Sequence, residues 1–452
     1  MANQPNSRNK LGVMPIPRLI ASVSVPLMVS MLVQSLYNIV DGVFVSRISE
    51  DALTATSLAY PAQMLMLAVA VGTGVGVNAI LSRRLGQRNQ QAVNAIATTG
   101  LFLAAVCSVI FMIIGAVATR PFITLFTQDE AVVELGCQYL RICLIGCMGI
   151  FFATTGERLL QATGNTFLSM IAQTFGAIIN IIFDPILIFG YFGLPAMGIQ
   201  GAAIATVAGQ FAAAIASLAL NHVKNREIHF QFAHFRPDGA TIWDIYRVGI
   251  PTILMQTMGS LMMVGMNTIL SGYASAVAAY GVYYKLYTFL YMPVSGLSQG
   301  MIPIMGYNLG AKQGARMRAA FRLTAIVAAV LMTCGMIVFL TLPRQLLGLY
   351  DAGEALLQIG VPLLRTMAIT FPFAAVTITI GFASSGLGNG FISMISTLLR
   401  QLLLLVPCAA LFSNLWGLNA AWFAAWISEG VALLFAIIAF RREYRKKVVP
   451  YL

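Results

Sequence analysis

The chain alternates long apolar stretches with short polar connections. Each stretch has about 20 residues or more, which is enough for a helix to cross a bilayer. We predict twelve spans, at about 18–46, 52–81, 92–118, 131–155, 166–190, 198–221, 242–271, 276–306, 316–341, 355–380, 391–412 and 417–440. The pattern therefore predicts an all-α polytopic membrane protein.

The composition supports this class and argues against a soluble one. Of the 452 residues, 59% are hydrophobic and 9% are charged, and the mean hydropathy is +0.83. The net charge of +12 could suggest a nucleic-acid partner, but the basic residues flank the predicted spans. We therefore expect contact with membrane lipids and no nucleic-acid partner.

The basic residues are distributed unequally when alternate connections are assigned to opposite sides of the membrane. One side carries Arg8, Lys10, Arg18, Arg83, Arg84, Arg88, Arg158, Lys224, Arg226, Arg236, Arg247, Lys312, Arg316, Arg318, Arg322, Arg441, Arg442, Arg445, Lys446 and Lys447. The other side carries only Arg47, Arg120 and Arg344. By the positive-inside rule, both termini are expected in the cytoplasm.

The sequence also contains an internal duplication. "GNTFLSMI" at 164–171 corresponds to "GNGFISMI" at 388–395, and at the same offset of 224 Arg120 meets Arg344 and Gly136 meets Gly360. Because each copy has six spans, the copies have the same orientation, which predicts two parallel six-helix lobes with a cavity between them. The predicted division is a cytoplasmic tail 1–17, an N-lobe 18–221, a cytoplasmic linker 222–241, a C-lobe 242–440 and a basic cytoplasmic tail 441–452.

A polar stripe follows the first span. Ser30, Gln34, Asn38 and Asp41 occupy positions i, i+4, i+8 and i+11, which share one helix face. An acid facing lipid would cost at least roughly 3 kcal/mol, so the stripe should face the protein interior or water.

The fifth span carries a second polar stripe in Gln173, Asn180 and Asp184. Pro185 frees a backbone carbonyl near Ile181, which can serve as a ligand, and we expect the helix to bend there. Two carboxylates and an amide in one half suit a proton or a small hard cation such as Na⁺. Packing hydrogen bonds are the alternative interpretation.

The duplication indicates which lobe would hold such a site. At offset 224 Asp184 corresponds to Cys408 and Asn180 to Leu404, so the acid pair occurs only in the first copy. A purely structural device would have less reason to be one-sided. We therefore expect the ion site in the N-lobe.

Tyrosines form a stripe in the eighth span, "AYGVYYKLYTFLYM". Tyr280, Tyr284, Tyr287 and Tyr291 share one face, with Lys285 turned away. Tyrosine rings lining a cavity would attract flat cationic compounds by stacking and cation–π interaction. Interfacial anchoring and ordinary packing are the alternatives.

Several of these segments together resemble the multidrug and toxic compound extrusion (MATE) family. They are "PLMVSMLVQSLYNIVDGVFVSRI", "ALTATSLAYP", "GTGVGVNAILSRRLGQRN", "LLQATGNTFLSMIAQTFGAIINIIFDPILIF" and "GIQGAAIATV", and the resemblance extends from about residue 12 to residue 440. It implies two six-helix lobes around a V-shaped cavity in a bacterial cytoplasmic membrane. It also implies an antiporter, not an enzyme, that exports lipophilic, often cationic compounds in exchange for H⁺ or Na⁺.

The resemblance also implies roles for particular residues. In members with an acid pair in the N-lobe, the cation site matches Asp41, Asn180 and Asp184, and Thr206 is the match for a participating threonine of the sixth span. Candidate substrate contacts are Gln34, Asn38, Tyr280, Tyr284 and Tyr287. We expect no cofactor, no metal beyond a Na⁺ at the coupling site, and a monomer.

Two other functions remain open at this stage. A lipid-linked saccharide or other amphiphile flippase of the same superfamily would share the fold, but it should line its cavity with several cationic residues. An intramembrane enzyme would need a nucleophile, a metal motif or a paired histidine and acid, and no HExxH, GxSxG or histidine within a span is present.

Overall fold

The fold was determined as a computed structural model that describes residues 9–232, 235–273, 275–350 and 353–452. Within these ranges every regular element is a helix. Residues 1–8 of the predicted N-terminal tail, including Arg8, lie outside the described residues.

The N-lobe is built from six long segments. They are α1 (Ile16–Ser46), α2 (Glu50–Gly86), α3 (Gln90–Val117), α4 (Glu130–Ile145 followed by Met148–Ala162), α5 (Thr166–Phe189) and α6 (Ile199–Lys224). The two halves of α4 meet at 44°. Side-chain caps begin three of these segments, since Ser49 accepts from the Ala52 N–H before α2, Asn89 from the Ala92 N–H before α3 and Asp129 from the Ala131 N–H before α4.

The C-lobe repeats this order. Its segments are α7 (Gly239–Leu270), α8 (Ala276–Gln299 followed by Met301–Gly310), α9 (Gly314–Thr341), α10 (Glu354–Ala368 followed by Phe371–Gly386), α11 (Phe391–Leu398, a π-helical turn Leu399–Leu403, then Leu405–Trp416) and α12 (Leu418–Ala421 followed by Ala424–Lys447). The halves of α10 meet at 53°, so the bend of α4 recurs in its counterpart. Short helices at Thr119–Thr124 and Pro343–Gly348 occupy matching connections.

Eleven of the twelve predicted spans meet simple criteria of length and apolarity. In the described part of the chain nine helices qualify singly, and α4 and α10 qualify when each bent pair is taken as one span. The twelfth is α8, which is helical as predicted. Its first helix contains five tyrosines and Lys285, and these residues lower its hydropathy.

The lobes meet where α1 and α2 pack against α7 and α8. The segment "GTGVGV" lies on α2, and a Cβ atom added to Gly249 of α7 would lie 3.0 Å from the carbonyl oxygen of Gly72. Ser24 of α1 donates a hydrogen bond to the carbonyl of Leu297 of α8 at 2.9 Å. Small residues therefore permit close packing of the two lobes at this segment.

The end of the molecule that carries the two termini is closed by further contacts. Leu11 is fully buried, and its carbonyl accepts hydrogen bonds from Asn308 at 3.1 Å and from Arg316 at 3.2 Å. Asn9 donates to the carbonyl of Thr163 in the N-lobe at 3.1 Å. The described part of the N-terminal tail thus docks against both lobes. The linker between the last helix of the N-lobe and the first of the C-lobe comprises residues 225–238, fewer than the predicted 222–241.

Candidate functional site

A cavity lies within the N-lobe and has an empty volume of about 940 Å³ that includes space open to solvent. Its wall includes residues of α1, α2, α4, α5 and α6, among them Gln34, Tyr37, Glu157, Asn180 and Thr206. Asn180 and Thr206 were predicted as coupling residues from the sequence, and here they border the same space. Asp184 and Asp41 do not line it.

Asp184 lies behind Asn180 and is fully buried, with 0% of its surface exposed. The Asn180 amide donates to Asp184 Oδ1 at 3.4 Å. With the amide turned over, its nitrogen donates to Asp184 Oδ2 at 3.3 Å and its oxygen accepts from the Thr206 backbone N–H at 3.3 Å. The second orientation satisfies both ends of the amide. Three of the predicted coupling residues are therefore adjacent across α5 and α6.

Two glycines allow this close approach of α5 and α6. A Cβ atom on Gly209 would lie 2.7 Å from the carbonyl oxygen of Gly176 and 2.9 Å from the Cβ of Asn180. Real Cβ atoms do not approach neighbours so closely, so a larger residue would separate the helices. The Asn180–Thr206 contact depends on this packing.

Asp41 of α1 completes the group of predicted coupling residues. It is partly exposed, but its Oδ1 is buried and has no hydrogen-bond partner among the described residues. Its charge is close enough to interact with that of Asp184, and Tyr37 lies near both acids. Buried carboxylate oxygens without donors favour binding of a proton, a cation or water.

The described residues include no group of three or more His, Cys, Asp and Glu side chains that could hold a metal ion. A cation at this site would therefore need neutral oxygens beside the two carboxylates. Asn180, Thr206 and the carbonyl freed by Pro185 near Ile181 are the available donors. The helix α5 runs unbroken from Thr166 to Phe189, so a bend at Pro185 stays a prediction.

The polar stripe of α1 differs in one position from the predicted one. Gln34 borders both cavities of the molecule and accepts a hydrogen bond from Gln173 at 3.2 Å. Asn38 is exposed and lines neither cavity, so the structure does not bring it to the site. The lining residues Gln34 and Tyr37, followed by Asp41, have spacings of three and four. Asn38, one residue after Tyr37, is rotated about 100° from it.

Two charged residues of α4, Glu157 and Arg158, were not predicted as part of a site within the spans. Arg158 was assigned to a cytoplasmic connection, but it is buried and lines both cavities. Its Nη1 donates to Gln161 at 2.9 Å and to Gln299 of the C-lobe at 2.7 Å, which links the lobes. The predicted span ended near 155, whereas the helix continues to Ala162, so Glu157 and Arg158 lie inside it.

A larger cavity, the C-lobe cavity, has an empty volume of about 1740 Å³ that includes space open to solvent. C-lobe residues form most of its wall, and the N-lobe contributes Met31, Gln34, Leu67, Val71, Val75 and Arg158. One wall is the tyrosine face of α8, formed by Tyr280, Tyr283, Tyr284, Tyr287 and Tyr291. The rings of Tyr283 and Tyr287 stack with centroids 6.0 Å apart. Tyr280, Tyr284 and Tyr287 were predicted to contact substrate, and Tyr283 was not.

A pair of opposite charges lies on the same cavity. Arg400 Nη1 of α11 is 3.7 Å from Glu429 Oε2 of α12, and both residues line the cavity. From the sequence, only N-lobe acids were predicted to be functional. Glu429 was not predicted, because nothing in the sequence connects an acid of α12 with an arginine 29 positions earlier. Lys285 has its ammonium group over the ring of Tyr350, 5.7 Å from the centroid, and does not line the cavity.

Comparison with known proteins adds the following findings. The model of the family described as MatE matches residues 26–186 and 250–411, one match in each lobe. A protein named "FAD transporter" from Shewanella oneidensis is 27% identical over 408 residues, which cover 90% of each chain. The "Multidrug export protein MepA" of Staphylococcus saprophyticus is 23% identical and covers 92% of this chain and 91% of the relative.

The fold also matches solved structures. One is an outward-facing conformation of a multidrug resistance MATE family transporter of the MOP superfamily, with a TM-score of 0.90 and 24% identity. The match covers 98% of this chain and 100% of that chain. The two-lobed arrangement of twelve helices around a central cavity, predicted from the duplication, is confirmed by this likeness.

Proposed function

The chain belongs to the MatE family, and on this basis we propose that it is a multidrug efflux transporter that exports lipophilic, often cationic compounds in exchange for H⁺ or Na⁺. Relatives along nearly the whole chain include a protein named as a multidrug exporter. In this proposal, transport needs no cofactor, and a monomer with its two cavities is sufficient for it.

The observation that carries the coupling proposal is the buried Asp184 behind Asn180, which lines the N-lobe cavity. A fully buried carboxylate with one amide partner is costly when ionised and uncompensated. Asp41 adds a second carboxylate with an unpartnered oxygen. Binding of a proton or of Na⁺ between Asp41, Asn180, Asp184 and Thr206 would relieve this cost.

Antiport follows if the ion and the exported compound stabilise different states of the N-lobe. When Asp41 and Asp184 are ionised, they retain water and favour an open, cation-attracting cavity. When a proton or cation neutralises them, α5 can repack near Pro185 and the cavity can narrow. Each ligand then lowers the affinity for the other by the same factor, which is the reciprocity that linkage requires.

The distribution of charge supports an orientation with both termini in the cytoplasm of a bacterial cell. Arg316 contacts the docked tail around Leu11, and Arg318 of the same helix donates to the Tyr444 hydroxyl at the basic end of α12, so these elements lie at the same end of the molecule. The positive-inside rule assigns that end to the cytoplasm.

The flippase alternative finds little support in the cavity walls. Among the residues described as lining the two cavities, only Arg158 and Arg400 are cationic. Arg158 already donates hydrogen bonds to Gln161 and Gln299, and Arg400 forms an ion pair with Glu429. A pyrophosphate carrier needs several free cationic groups at one place.

The test is ethidium transport in everted membrane vesicles with an imposed H⁺ gradient, an imposed Na⁺ gradient or neither. We expect ethidium to accumulate in the vesicles with at least one gradient and to be released when that gradient is collapsed. Vesicles that contain Asp184→Asn protein at equal expression are the matched control and should show no gradient dependence. Equal ethidium movement with and without both gradients would reject the proposal.

A further inference from the structure

At the end of the molecule that carries the termini, the two lobes meet through a nearly symmetric contact. At the duplication offset of 224, Gly86 at the end of α2 corresponds to Gly310 at the end of α8. A Cβ atom on Gly86 would collide with the carbonyl oxygen of Tyr307, and one on Gly310 with the carbonyl oxygen of the equivalent residue, Arg83. Backbone lies directly against backbone at these positions, so the two helices can separate there without a side chain leaving a pocket.

The segment 9–14, which we call the strap, lies across this contact. It is continuous with the N-lobe, because α1 begins directly after it at Ile16. Asn9 also holds it to that lobe, since its Nδ2 donates to the carbonyl of Thr163 at 3.1 Å and to Glu227 Oε1 of the linker at 3.0 Å. The strap therefore belongs to the N-lobe.

The other end of the strap is bound by the C-lobe. Leu11 is fully buried, and its carbonyl accepts from Asn308 Nδ2 of α8 at 3.1 Å and from Arg316 Nη2 of α9 at 3.2 Å. The same Arg316 nitrogen donates to the carbonyl of Met14 at 2.7 Å. These bonds join the strap to the lobe from which it does not originate.

The bonds to the C-lobe are of a kind that can form and break repeatedly. The acceptors of Arg316 are neutral oxygens, namely the carbonyls of Leu11 and Met14 and Oδ1 of Asn308. Hydrogen bonds from a charged donor are stronger than those between neutral groups. When they break, no carboxylate is left behind without its partner, and water can solvate both the guanidinium group and the carbonyls.

The linker between the lobes does not make the same connection. The backbone N–H groups of His229 and Gln231 donate to Asn94 Oδ1 at 2.9 Å and to Thr98 Oγ1 at 3.1 Å. Asn94 and Thr98 lie on one face of α3, so this part of the linker is fixed along the N-lobe. The strap, and not this part of the linker, bridges to the C-lobe.

We propose that residues 9–14 form a reversible strap that holds the two lobes together at this end and releases the C-lobe at Asn308 and Arg316 in each transport cycle. Asn9 and the connection to α1 keep the released strap on the N-lobe. The inference rests on the proposed transport function, because a transporter of this architecture opens its two sides in turn by moving one lobe against the other. It assigns a control element to one of these openings.

Two buried positions can report strap release and lobe separation separately. Leu11→Cys places a thiol on the strap, and Ser82→Cys places one on α2 within the lobe contact, where a Cβ atom on Gly306 would lie 3.1 Å from the Cβ of Ser82. Leu11 and Ser82 are both fully buried, so each thiol reacts with a fluorescent maleimide only when its surroundings open. The exposed native Cys334 is replaced by serine in both proteins.

The first test removes the charged donor from the C-lobe. In purified Arg316→Met protein we expect both reporters to be labelled at least about tenfold faster than in the parent proteins, because the charged hydrogen bonds to the strap are lost. Arg322→Met changes an exposed arginine of the same helix and is the matched control, which should leave both rates unchanged. Val13→Cys is exposed from the outset and should be labelled at one rate throughout.

The second test changes the strap and leaves the C-lobe intact. A Cβ atom on Gly12 would lie 2.7 Å from Cε1 of Tyr307, so Gly12→Leu should push the strap off the C-lobe and accelerate both reporters in the same way. This variant decides the question if Arg316→Met does not fold. Faster labelling of Leu11→Cys with an unchanged rate for Ser82→Cys would mean that the tail docks without holding the lobes, and the proposal would be wrong. Unchanged labelling of both reporters would also overturn it.

Failure of this inference can be told apart from failure of the proposed function. Labelling of the purified protein needs neither an ion gradient nor an exported compound, whereas ethidium transport in vesicles needs both. A wild-type protein that transports ethidium, with variants that leave Ser82→Cys labelling unchanged, would reject the strap alone. Ethidium movement that is independent of both gradients would reject the antiporter, and with it a role for the strap in a transport cycle.

Discussion

The two lobes share one scaffold but pack their fifth and sixth helices differently. In the N-lobe, α5 is unbroken and meets α6 at Gly176 and Gly209. In the C-lobe, Arg400 stands at the position equivalent to Gly176, and α11 is interrupted by a π-helical turn. A long side chain cannot occupy a contact that leaves no room for a Cβ atom. The C-lobe pair is therefore held apart beside a larger cavity.

This difference in packing has a chemical counterpart. In the N-lobe, Asp184 and the Oδ1 atom of Asp41 are buried without a cationic partner. The Asn180 amide, which donates to Asp184, lies between Asp184 and the cavity. The C-lobe places one acid, Glu429, next to a cation, so its charge is balanced. An uncompensated acid responds strongly to a proton or cation, whereas a balanced pair does not. The two lobes thus share one order of helices but differ in their charges, and we infer that the coupling ion binds in the N-lobe.

The largest expected effect comes from removing an N-lobe acid. Asp184→Asn and Asp41→Asn should each reduce gradient-driven ethidium transport below about a tenth of wild type, because the ion then has no charge to neutralise. The measurement is transport in everted vesicles at matched protein levels. Cys408→Ala, at the C-lobe position equivalent to Asp184, should transport almost normally. Near-normal transport in either acid variant would remove that residue from the coupling site.

A smaller effect is expected from forcing the N-lobe helices apart. Gly209→Leu would drive its side chain into Gly176 and Asn180, and overpacking of this kind costs about 1–3 kcal/mol. We expect a lower unfolding temperature and a loss of most ethidium transport. Gly430→Leu is the matched control on α12, because a Cβ atom there meets nothing within 4 Å. Equal stability and transport in the two variants would show that close α5–α6 packing is not required.

The sequence predicted most of the scaffold because periodicity and duplication are properties of whole segments. It also predicted a site at Asp41, Asn180 and Asp184, because an acid within an apolar span is costly, and the role of these residues stays a prediction. It could not indicate the Arg400–Glu429 pair, which depends on a π-helical turn and on the packing of two separate helices. It placed Arg158 in a connection because a helix end cannot be located to within a few residues from hydropathy.

The smallest expected effect concerns the prolines that follow the compared positions. Pro185 lies in the interior of the unbroken α5, whereas Pro407 of α11 comes shortly after the π-helical turn and follows a break that already exists. If α5 repacks around Pro185 during the transport cycle, Pro185→Ala should still bind Na⁺ or protons and ethidium, but their mutual antagonism should shrink about tenfold. Restoring the missing hydrogen bond would stiffen the helix where it has to change shape.

Pro407→Ala is the control and should leave the antagonism intact, because α11 keeps its π-helical turn. The measurement is the ethidium dissociation constant with and without the coupling ion in each purified variant. Wild-type antagonism together with normal transport in Pro185→Ala would mean that bending at Pro185 has no part in coupling.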